Sequence, residues 1–171
     1  MNIRLVIFDA DKTLWDHPDI SSSNPPFKRI NENTLVDTTG SEIHLYKQVR
    51  EMLHVLKEQN VIISLASWNT PRPCFEALQK LDLLKYFKHP KVQPHPEKCK
   101  MIKELLEDLK EDGIELKPDE ILYVDDKSRH LDDVRKQTGE IRFLQMWVDV
   151  KDHLEILEYV RNCQANSFRI I

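Results

Sequence analysis

The chain has 171 residues, of which 40% are hydrophobic and 32% charged, and its formal net charge is −4. This length suits one domain with a full core, spanning residues 1–171. A weakly acidic chain has no general electrostatic reason to bind nucleic acid, so we expect no nucleic-acid partner. No segment approaches the roughly 20 apolar residues that span a bilayer, so no membrane partner is expected either.

The amino-terminal apolar run and the cysteines bear on where the protein is located. Residues 3–8 form too short an apolar run for a signal peptide, and Asp9 ends it. The cysteines are Cys74, Cys99 and Cys163, an odd number with no CxxC pair. Reduced thiols explain this pattern better than a disulfide framework or a zinc site, so we expect a cytoplasmic protein.

The predicted elements alternate along the chain between short apolar strands and amphipathic helices. Continuous apolar runs predict strands at residues 3–8, 61–66, 121–124 and 141–146. Apolar residues at helical spacing predict helices at residues 46–59, 71–81, 97–110, 131–137 and 152–161. Continuous apolar strands separated by helices indicate a parallel sheet covered on both faces, which is an α/β fold.

Two carboxylates, Asp9 and Asp11, directly follow the first predicted strand. Side chains alternate along an extended backbone, so both carboxylates can point to the same side. A bare carboxylate pair is costly at this position unless a cation or a reaction uses it. Open α/β sheets also bind their ligands at this edge. The pair therefore indicates metal-assisted carboxylate chemistry.

Residues 17–44 interrupt the alternation, because they are too many for an ordinary connection between a strand and its helix. Within them, residues 34–36 and 43–45 flank a turn at residues 37–41, which predicts a small hairpin. The segment could form a flap over the carboxylates, or it could be a surface insertion.

Ser67, Trp68 and Asn69 follow the second predicted strand and precede the helix that begins at Pro71. A hydroxyl and free backbone N–H groups at a helix start can hold an anion, although such residues are also ordinary helix caps. Trp68 could stack on a substrate, but we favour a packing role. Trp15, another large aromatic close to the carboxylates, is open to the same two interpretations.

Lys98 lies at the start of the helix predicted at residues 97–110. Near the carboxylates it could keep Asp9 ionised and neutralise a phosphate oxygen. The alternative is that Lys98, like Lys100 and Lys103 of the same helix, is a solvated surface lysine.

Asp125 and Asp126 follow the third predicted strand and form a second carboxylate pair. Either residue alone could be a helix cap. Two carboxylate pairs at two strand ends of one sheet instead predict a site of hard oxygen ligands, and that ligand set suits Mg²⁺.

These motifs resemble those of the haloacid dehalogenase (HAD) superfamily of phosphotransferases in their order and strand positions. The motifs are Asp9-Ala10-Asp11-Lys12-Thr13, Ser67, Lys98 and Asp125-Asp126. A narrower resemblance to the small magnesium-dependent phosphatase family rests on Phe8-Asp9, Thr13-Leu14-Trp15, Pro25-Pro26-Phe27, Ala66-Ser67 and residues 82–87. The resemblance covers nearly the whole chain, and it implies a Rossmann-like three-layer α/β/α sandwich without a large cap domain.

The resemblance also implies roles for individual residues. Asp9 would be the nucleophile that forms a phospho-aspartyl intermediate, and Asp11 the general acid and base. The ligands of Mg²⁺ would be Asp9, Asp125 and the main-chain carbonyl of Asp11. The phosphate would be bound by Ser67, Trp68 and Asn69 on one side and Lys98 on the other, with Thr13 and Asp126 in support.

Asp11 can act as an acid only if its pKa is raised above the usual value of about 3.9. We expect the carboxylates of Asp9 and Asp126 to raise it and Mg²⁺ to oppose them. One position departs from the family pattern, since His130 stands where relatives often carry Asn. His130 could replace the hydrogen bond of that Asn, or the loop that holds Asp125 could be looser.

Three functions remain open at this point. The leading one is a Mg²⁺-dependent phosphatase that acts on a small phosphorylated metabolite, such as a sugar phosphate, or on phosphotyrosine. The second is a transferase that passes a phosphoryl or glyceryl group to an acceptor other than water. The third is a non-catalytic binding protein on the same fold, which the intact Asp9, Asp11, Lys98 and Asp125 argue against.

Overall fold

A computed structural model describes residues 2–167. In chain order the strands are β1 (Leu5–Phe8), β2 (Lys28–Asn31), β3 (Thr34–Val36), β4 (Glu42–His44), β5 (Ile62–Trp68), β6 (Lys91–Gln93), β7 (Ile121–Asp125) and β8 (Arg142–Gln145). The helices are α1 (Val49–Glu58), α2 (Pro71–Lys80), α3 (Lys98–Glu111), α4 (Leu131–Thr138) and α5 (His153–Ser167).

The central sheet has five parallel strands in the order β6-β5-β1-β7-β8. Phe8 in β1 pairs with Leu65 in β5 and with Val124 in β7. This register places Asp9, Ala66 and Asp125 side by side at the carboxyl edge of the sheet, where ligands bind in folds of this type.

Helices cover both faces of the sheet, because successive strand side chains point to opposite faces. Leu5 and Ile7 pack with α3 and α4, whereas Val6 and Phe8 pack with α1, α2 and α5. All four strand residues are fully buried. The predicted three-layer α/β/α sandwich is therefore confirmed, and residues 2–167 contain no large cap domain.

A second, antiparallel sheet in the order β2-β3-β4 lies between β1 and α1 in the chain. Strands β3 and β4 are the predicted hairpin. The sequence did not reveal β2, because all four of its residues are exposed and its side chains lack an alternating pattern. The small sheet is anchored to the main body by Arg50, which donates to Asn33 and Glu32, and by Arg29, which donates to the Lys80 carbonyl.

Several predicted boundaries shift in the structure. Strand β5 continues through Trp68, so Ser67 and Trp68 are strand residues rather than loop residues. Helix α1 begins at Val49 instead of residue 46, and α5 runs to Ser167 instead of residue 161. Strand β6 was not predicted, because only Val92 of its three residues is buried. Among the described helices, none combines the length and the apolar character that a bilayer crossing requires.

Candidate active site

Asp9, Asp125 and Lys98 meet at the carboxyl edge of the central sheet. The Lys98 ammonium donates to Asp9 Oδ1 and to the Ala66 carbonyl, both at 2.5 Å, and lies 3.5 Å from Asp125 Oδ2. Lys98 is 3% exposed, whereas Lys100 and Lys103 of the same helix are exposed. Lys98 is therefore an internal counter-ion of the carboxylates and not a solvated surface lysine.

A possible metal centre is formed by Asp9, Asp125 and Asp126. Each offers one carboxylate oxygen, and these oxygens all lie within 4.8 Å of one another. Hard oxygen ligands at this density suit a divalent cation such as Mg²⁺. The carboxylate of Asp11 is not a member of this cluster, whereas Asp126, which we predicted only in a supporting role, is. The ligand atom predicted for Asp11 is its main-chain carbonyl, which a cluster of carboxylate oxygens does not test.

The charges within the cluster shift the pKa values of its members. Burial raises the pKa of Asp9 to about 7, against the opposing charge of Lys98, and the neighbouring Asp125 adds to the increase. Burial and the charge of Asp125 raise the pKa of Asp126 to about 6. Burial acts most strongly on Asp125, but the charge of Lys98 and the hydrogen bonds from Tyr123 and the Lys127 backbone together hold the pKa of Asp125 below its usual value. Three crowded carboxylates with one lysine leave an excess of negative charge that a divalent cation would neutralise.

Asp11 lies beside this cluster but is bound by protein donors. The Trp15 indole donates to Asp11 Oδ1 at 2.8 Å, the Ile20 backbone N–H to the same oxygen at 3.1 Å, and the Asn69 amide to Oδ2 at 2.9 Å. Burial raises the pKa of Asp11 despite these donors, and Asp19 contributes to the increase. The direction is as predicted, but the main cause is burial rather than Asp9 and Asp126.

Ser67 and Asn69 are both buried at the end of β5. The Asn69 amide donates to Ser67 Oγ at 2.7 Å as well as to Asp11, and its oxygen accepts from Ser21 Oγ at 2.7 Å. The hydroxyl of Ser21 in turn accepts from the Thr70 backbone N–H at 2.7 Å. Asn69 thus fixes the position of Asp11 relative to β5, a role that we did not predict from the sequence.

The two tryptophans near the site have opposite environments. Trp15 is fully buried and its indole holds Asp11. Trp68 is 45% exposed, which contradicts the packing role that we favoured. Its ring lies under the guanidinium of Arg129, 5.7 Å from Arg129 Cζ to the ring centroid.

The loop after β1 is held by side chains from the carboxyl-terminal part of the chain. The Trp147 indole donates to the Lys12 carbonyl and His153 Nε2 donates to the Thr13 carbonyl, both at 2.6 Å. Thr13 itself is buried, and its hydroxyl has no hydrogen-bond partner within residues 2–167. These contacts fix the backbone on which Asp11 stands.

Asp125 is held by groups close to it in sequence. Its carboxylate accepts from the Lys127 backbone N–H at 2.9 Å and from the hydroxyl of Tyr123. Tyr123 precedes Asp125 by two residues in β7, so strand periodicity places both side chains on one face, and this signal could have been found in the sequence. The ring of His130 accepts from Arg129 Nε at 3.0 Å and makes no described hydrogen bond to Asp125. His130 therefore does not replace the hydrogen bond of the usual Asn.

The site residues predicted from the sequence, except Ser67 and Thr13, line a cavity of about 380 Å³. Its floor carries Asp9, Asp11, Asp125, Asp126 and Lys98, and its walls carry Pro18, Asp19, Ser21, Trp68, Asn69, Thr70, Pro94, Lys127, Arg129 and His130. Of the segment at residues 17–44, Pro18, Asp19 and Ser21 line the cavity, whereas β2, β3 and β4 contribute no lining residue.

The chain is similar to known proteins over most of its length. The model of a family described as Acid Phosphatase matches residues 2–146. Magnesium-dependent phosphatase 1 of Homo sapiens is 29% identical over 167 residues, which cover 97% of this chain and 92% of that protein. A HAD-like hydrolase superfamily protein of Schizosaccharomyces pombe is 30% identical over 173 aligned positions, covering 93% of each chain.

Solved structures of low sequence identity share the fold. A HAD-superfamily hydrolase from Ehrlichia chaffeensis has a TM-score of 0.65 at 15% identity, covering 96% of this chain and 99% of that one. The phosphatase domain at the amino-terminal part of a Bacteroides fragilis protein, complexed with Mg, has a TM-score of 0.64 at 18% identity. That match covers 95% of this chain and 40% of the Bacteroides chain.

Proposed function

Since the chain belongs to the acid phosphatase family and to the HAD-like hydrolase superfamily, we propose that it is a Mg²⁺-dependent phosphatase of small phosphate monoesters. The observation that carries the proposal is the meeting of Asp9, Lys98 and Asp11 at the floor of one cavity. A cavity of about 380 Å³ lies at the small end of ligand sites and favours a metabolite of a few carbons.

Asp9 is the proposed nucleophile. Its Oδ1 is held by Lys98, and its Oδ2 has no hydrogen-bond partner among residues 2–167. Asp9 attacks phosphorus while the ester P–O bond breaks, and the leaving oxygen takes a proton from the Asp11 carboxyl. A water molecule then attacks phosphorus in the phospho-aspartate, Asp11 takes its proton, and inorganic phosphate leaves with Asp9 restored as a carboxylate.

The remaining residues bind charge. Asp9, Asp125 and Asp126 would hold Mg²⁺, with the main-chain carbonyl of Asp11 as a further ligand, and the bound ion neutralises charge between nucleophile and phosphate. Lys98 neutralises a phosphate oxygen opposite the end of β5, where the N–H group of Trp68 binds another. The predicted direct contacts of Ser67 and of the Asn69 N–H are not kept, because Ser67 is fully buried and does not line the cavity and the Asn69 N–H already donates to the Gln93 carbonyl at 3.0 Å. Thr13 supports the backbone of the loop after β1.

The test is release of phosphate from p-nitrophenyl phosphate with Mg²⁺ or with EDTA. The proposal expects turnover that needs Mg²⁺, vanishes in Asp9→Asn and persists in Asp119→Asn, a matched carboxylate at the opposite edge of the sheet. Turnover that survives in Asp9→Asn would rule out Asp9 as the nucleophile. Bound Mg²⁺ without phosphate release would favour a transferase or a binding protein.

A further inference from the structure

Three basic residues on the loop between β7 and α4 line one wall of the cavity: Lys127, Arg129 and His130. Within residues 2–167, none of them forms an ion pair with a carboxylate. Other lysines and arginines of the chain do pair, including Lys85 with Asp82 and Lys91 with Asp108. Lys127 and Arg129 therefore present positive charge to the cavity without a paired carboxylate, although the charge of Lys127 also lowers the pKa of Asp126.

Arg129 is held in place although it is exposed. Its guanidinium lies over the Trp68 ring at 5.7 Å, and its Nε donates to His130 Nε2 at 3.0 Å. Neither terminal NH₂ group has a hydrogen-bond partner among the described residues. A planar guanidinium fixed by an aromatic ring, with both NH₂ groups free, has the geometry that binds carboxylate or phosphate bidentately.

The contact between Trp68 and Arg129 also explains why Trp68 is exposed. Trp68 leaves 45% of its area exposed at the cavity wall, which is much for a large aromatic residue. Its ring supports Arg129, and its own backbone N–H is the proposed phosphate-binding group at the end of β5. The Arg129–Trp68 pair thus stands next to the phosphate end of the cavity.

The proposed charges elsewhere in the cavity do not neutralise this wall. The positive charges of Mg²⁺ and Lys98 would be neutralised by the transferred phosphate and by the carboxylates on the cavity floor. Asp19, which also lines the cavity, accepts from the Ser21 backbone N–H and would repel an anion. A substrate with one phosphate would leave Lys127 and Arg129 without a partner.

We propose that the substrate carries a second anionic group, a carboxylate or a phosphate a few atoms from the ester, and that Arg129 and Lys127 bind it. This inference rests on the proposed function and narrows its substrate class. Trp68 and His130 are positioning residues, because they act through the guanidinium of Arg129.

The test compares substrates that differ only in the second charge. The first pair is 3-phosphoglycerate and glycerol 3-phosphate, and the second is propane-1,3-diol bisphosphate and its monophosphate. We expect the parent to have the higher kcat/KM for the member with the second anionic group in at least one pair, and the pair that shows it identifies the group as carboxylate or phosphate. The quantity compared is the kcat/KM of the member with the second anionic group divided by the kcat/KM of the other member. Arg129→Met is expected to lower this ratio roughly ten- to a hundred-fold, mainly through KM.

Two variants make the comparison specific. Arg129→Lys keeps the charge but loses the planar fork, so the ratio should recover only in part. Arg161→Met removes the same charge from α5, outside the cavity, and should leave the ratio at its parental value. A parental ratio of one or less, or a ratio that Arg129→Met does not change, would overturn the inference.

Failure of the proposed function would be visible separately. If the parent hydrolyses no member of either pair, the proposed phosphatase function is wrong. The inference is then decided by calorimetry, in which each of the four compounds is titrated into the parent or into Arg129→Met in the presence of Mg²⁺. An anion site would be supported if the member with the second anionic group binds the parent more tightly than its partner compound and Arg129→Met weakens that binding at least ten-fold. Equal binding to parent and variant would reject it.

Discussion

Asp9 and Asp11 differ at the residue scale in what surrounds each carboxylate. Asp11 accepts three hydrogen bonds from protein donors, whereas Asp9 has one side-chain partner, the ammonium of Lys98. Burial raises the pKa of both carboxyls, so the pKa values do not separate the two roles. The hydrogen bonds do, because a carboxylate with an unengaged oxygen is suited to attack phosphorus and a carboxyl fixed by donors is suited to exchange a proton at a defined position. The environments therefore assign different roles to two chemically identical groups.

If Asp11 protonates the leaving oxygen, Asp11→Asn will slow substrates according to their leaving groups. An alkyl phosphate needs the proton and should lose about 10²–10⁴-fold in kcat. The first step with p-nitrophenyl phosphate needs it far less, because p-nitrophenolate is a stable anion. Equal losses in the rate of phosphorylation of Asp9 by the two substrates, measured by rapid quench, would argue against a general acid at Asp11.

Lys98 is expected to stabilise the folded protein as well as the reaction. Lys98→Met leaves buried carboxylates without their counter-ion and should lower the free energy of unfolding by about 3–5 kcal/mol without Mg²⁺. The double variant Asp9→Asn with Lys98→Met should recover part of this loss, because the charge that Lys98 compensates is gone. Urea unfolding of the four proteins measures the coupling, and strictly additive losses would contradict it.

At the scale of elements, the carboxyl-terminal part of the chain braces the loop that follows β1. Trp147 lies after β8 and His153 begins α5, and both donate to carbonyls of that loop at 2.6 Å. Tyr46 packs between them, 4.7 Å from the Trp147 ring centroid and 5.5 Å from that of His153. The position of Asp11 thus depends on elements more than 130 residues away in sequence.

His153 makes this brace sensitive to pH. Burial lowers the pKa of His153 below 6.5, so the folded protein keeps the ring neutral where the unfolded chain already binds a proton. The free energy of unfolding should therefore fall as the pH drops below about 6.5. Urea unfolding at several pH values should show a smaller decrease for His153→Gln, which keeps an N–H donor, than for the parent. The same decrease in both proteins would exclude His153 as the titrating group.

At the scale of the whole molecule, the proposed metal site joins β1 to β7 and should couple Mg²⁺ to folding. An ion that binds only the folded chain stabilises it by about 2.7 kcal/mol at a hundred times its dissociation constant. We expect the Tm of the parent to rise with Mg²⁺ and the Tm of Asp125→Asn to rise much less. Sodium chloride at matched ionic strength is the control, and an equal rise with sodium chloride would mean that no specific site exists.

The features that were predictable from the sequence are those that follow from apolar runs and from the common direction of parallel strands. Buried parallel strands are continuous apolar runs, so β1, β5 and β7 were recognisable, and their shared edge brings Asp9 close to Asp125. Strands β2 and β6 were not recognisable, because they bury one residue or none and their pairing partners decide their structure.

Side-chain direction explains what the sequence left open at the site. Whether Lys98 points inward and Trp68 outward depends on packing between elements, which no local pattern records. Asp11 and Asp126 have similar places in the sequence, because each shortly follows an aspartate at the end of a strand, Asp9 or Asp125. The donors Trp15 and Asn69, which come from two different elements, engage Asp11 and leave Asp126 to the acidic cluster.

The most direct test of the account is to look for phosphate on Asp9 itself. The parent, with Mg²⁺ and a hydrolysed phosphate ester, is quenched in acid within one turnover and its peptides are analysed by mass spectrometry. The account predicts a hydroxylamine-sensitive phosphoryl group on the peptide that contains Asp9, more of it in Asp11→Asn and none in Asp9→Asn. Turnover of the ester without any such phosphoryl group, in the parent and in Asp11→Asn alike, would contradict a phospho-aspartyl intermediate on Asp9.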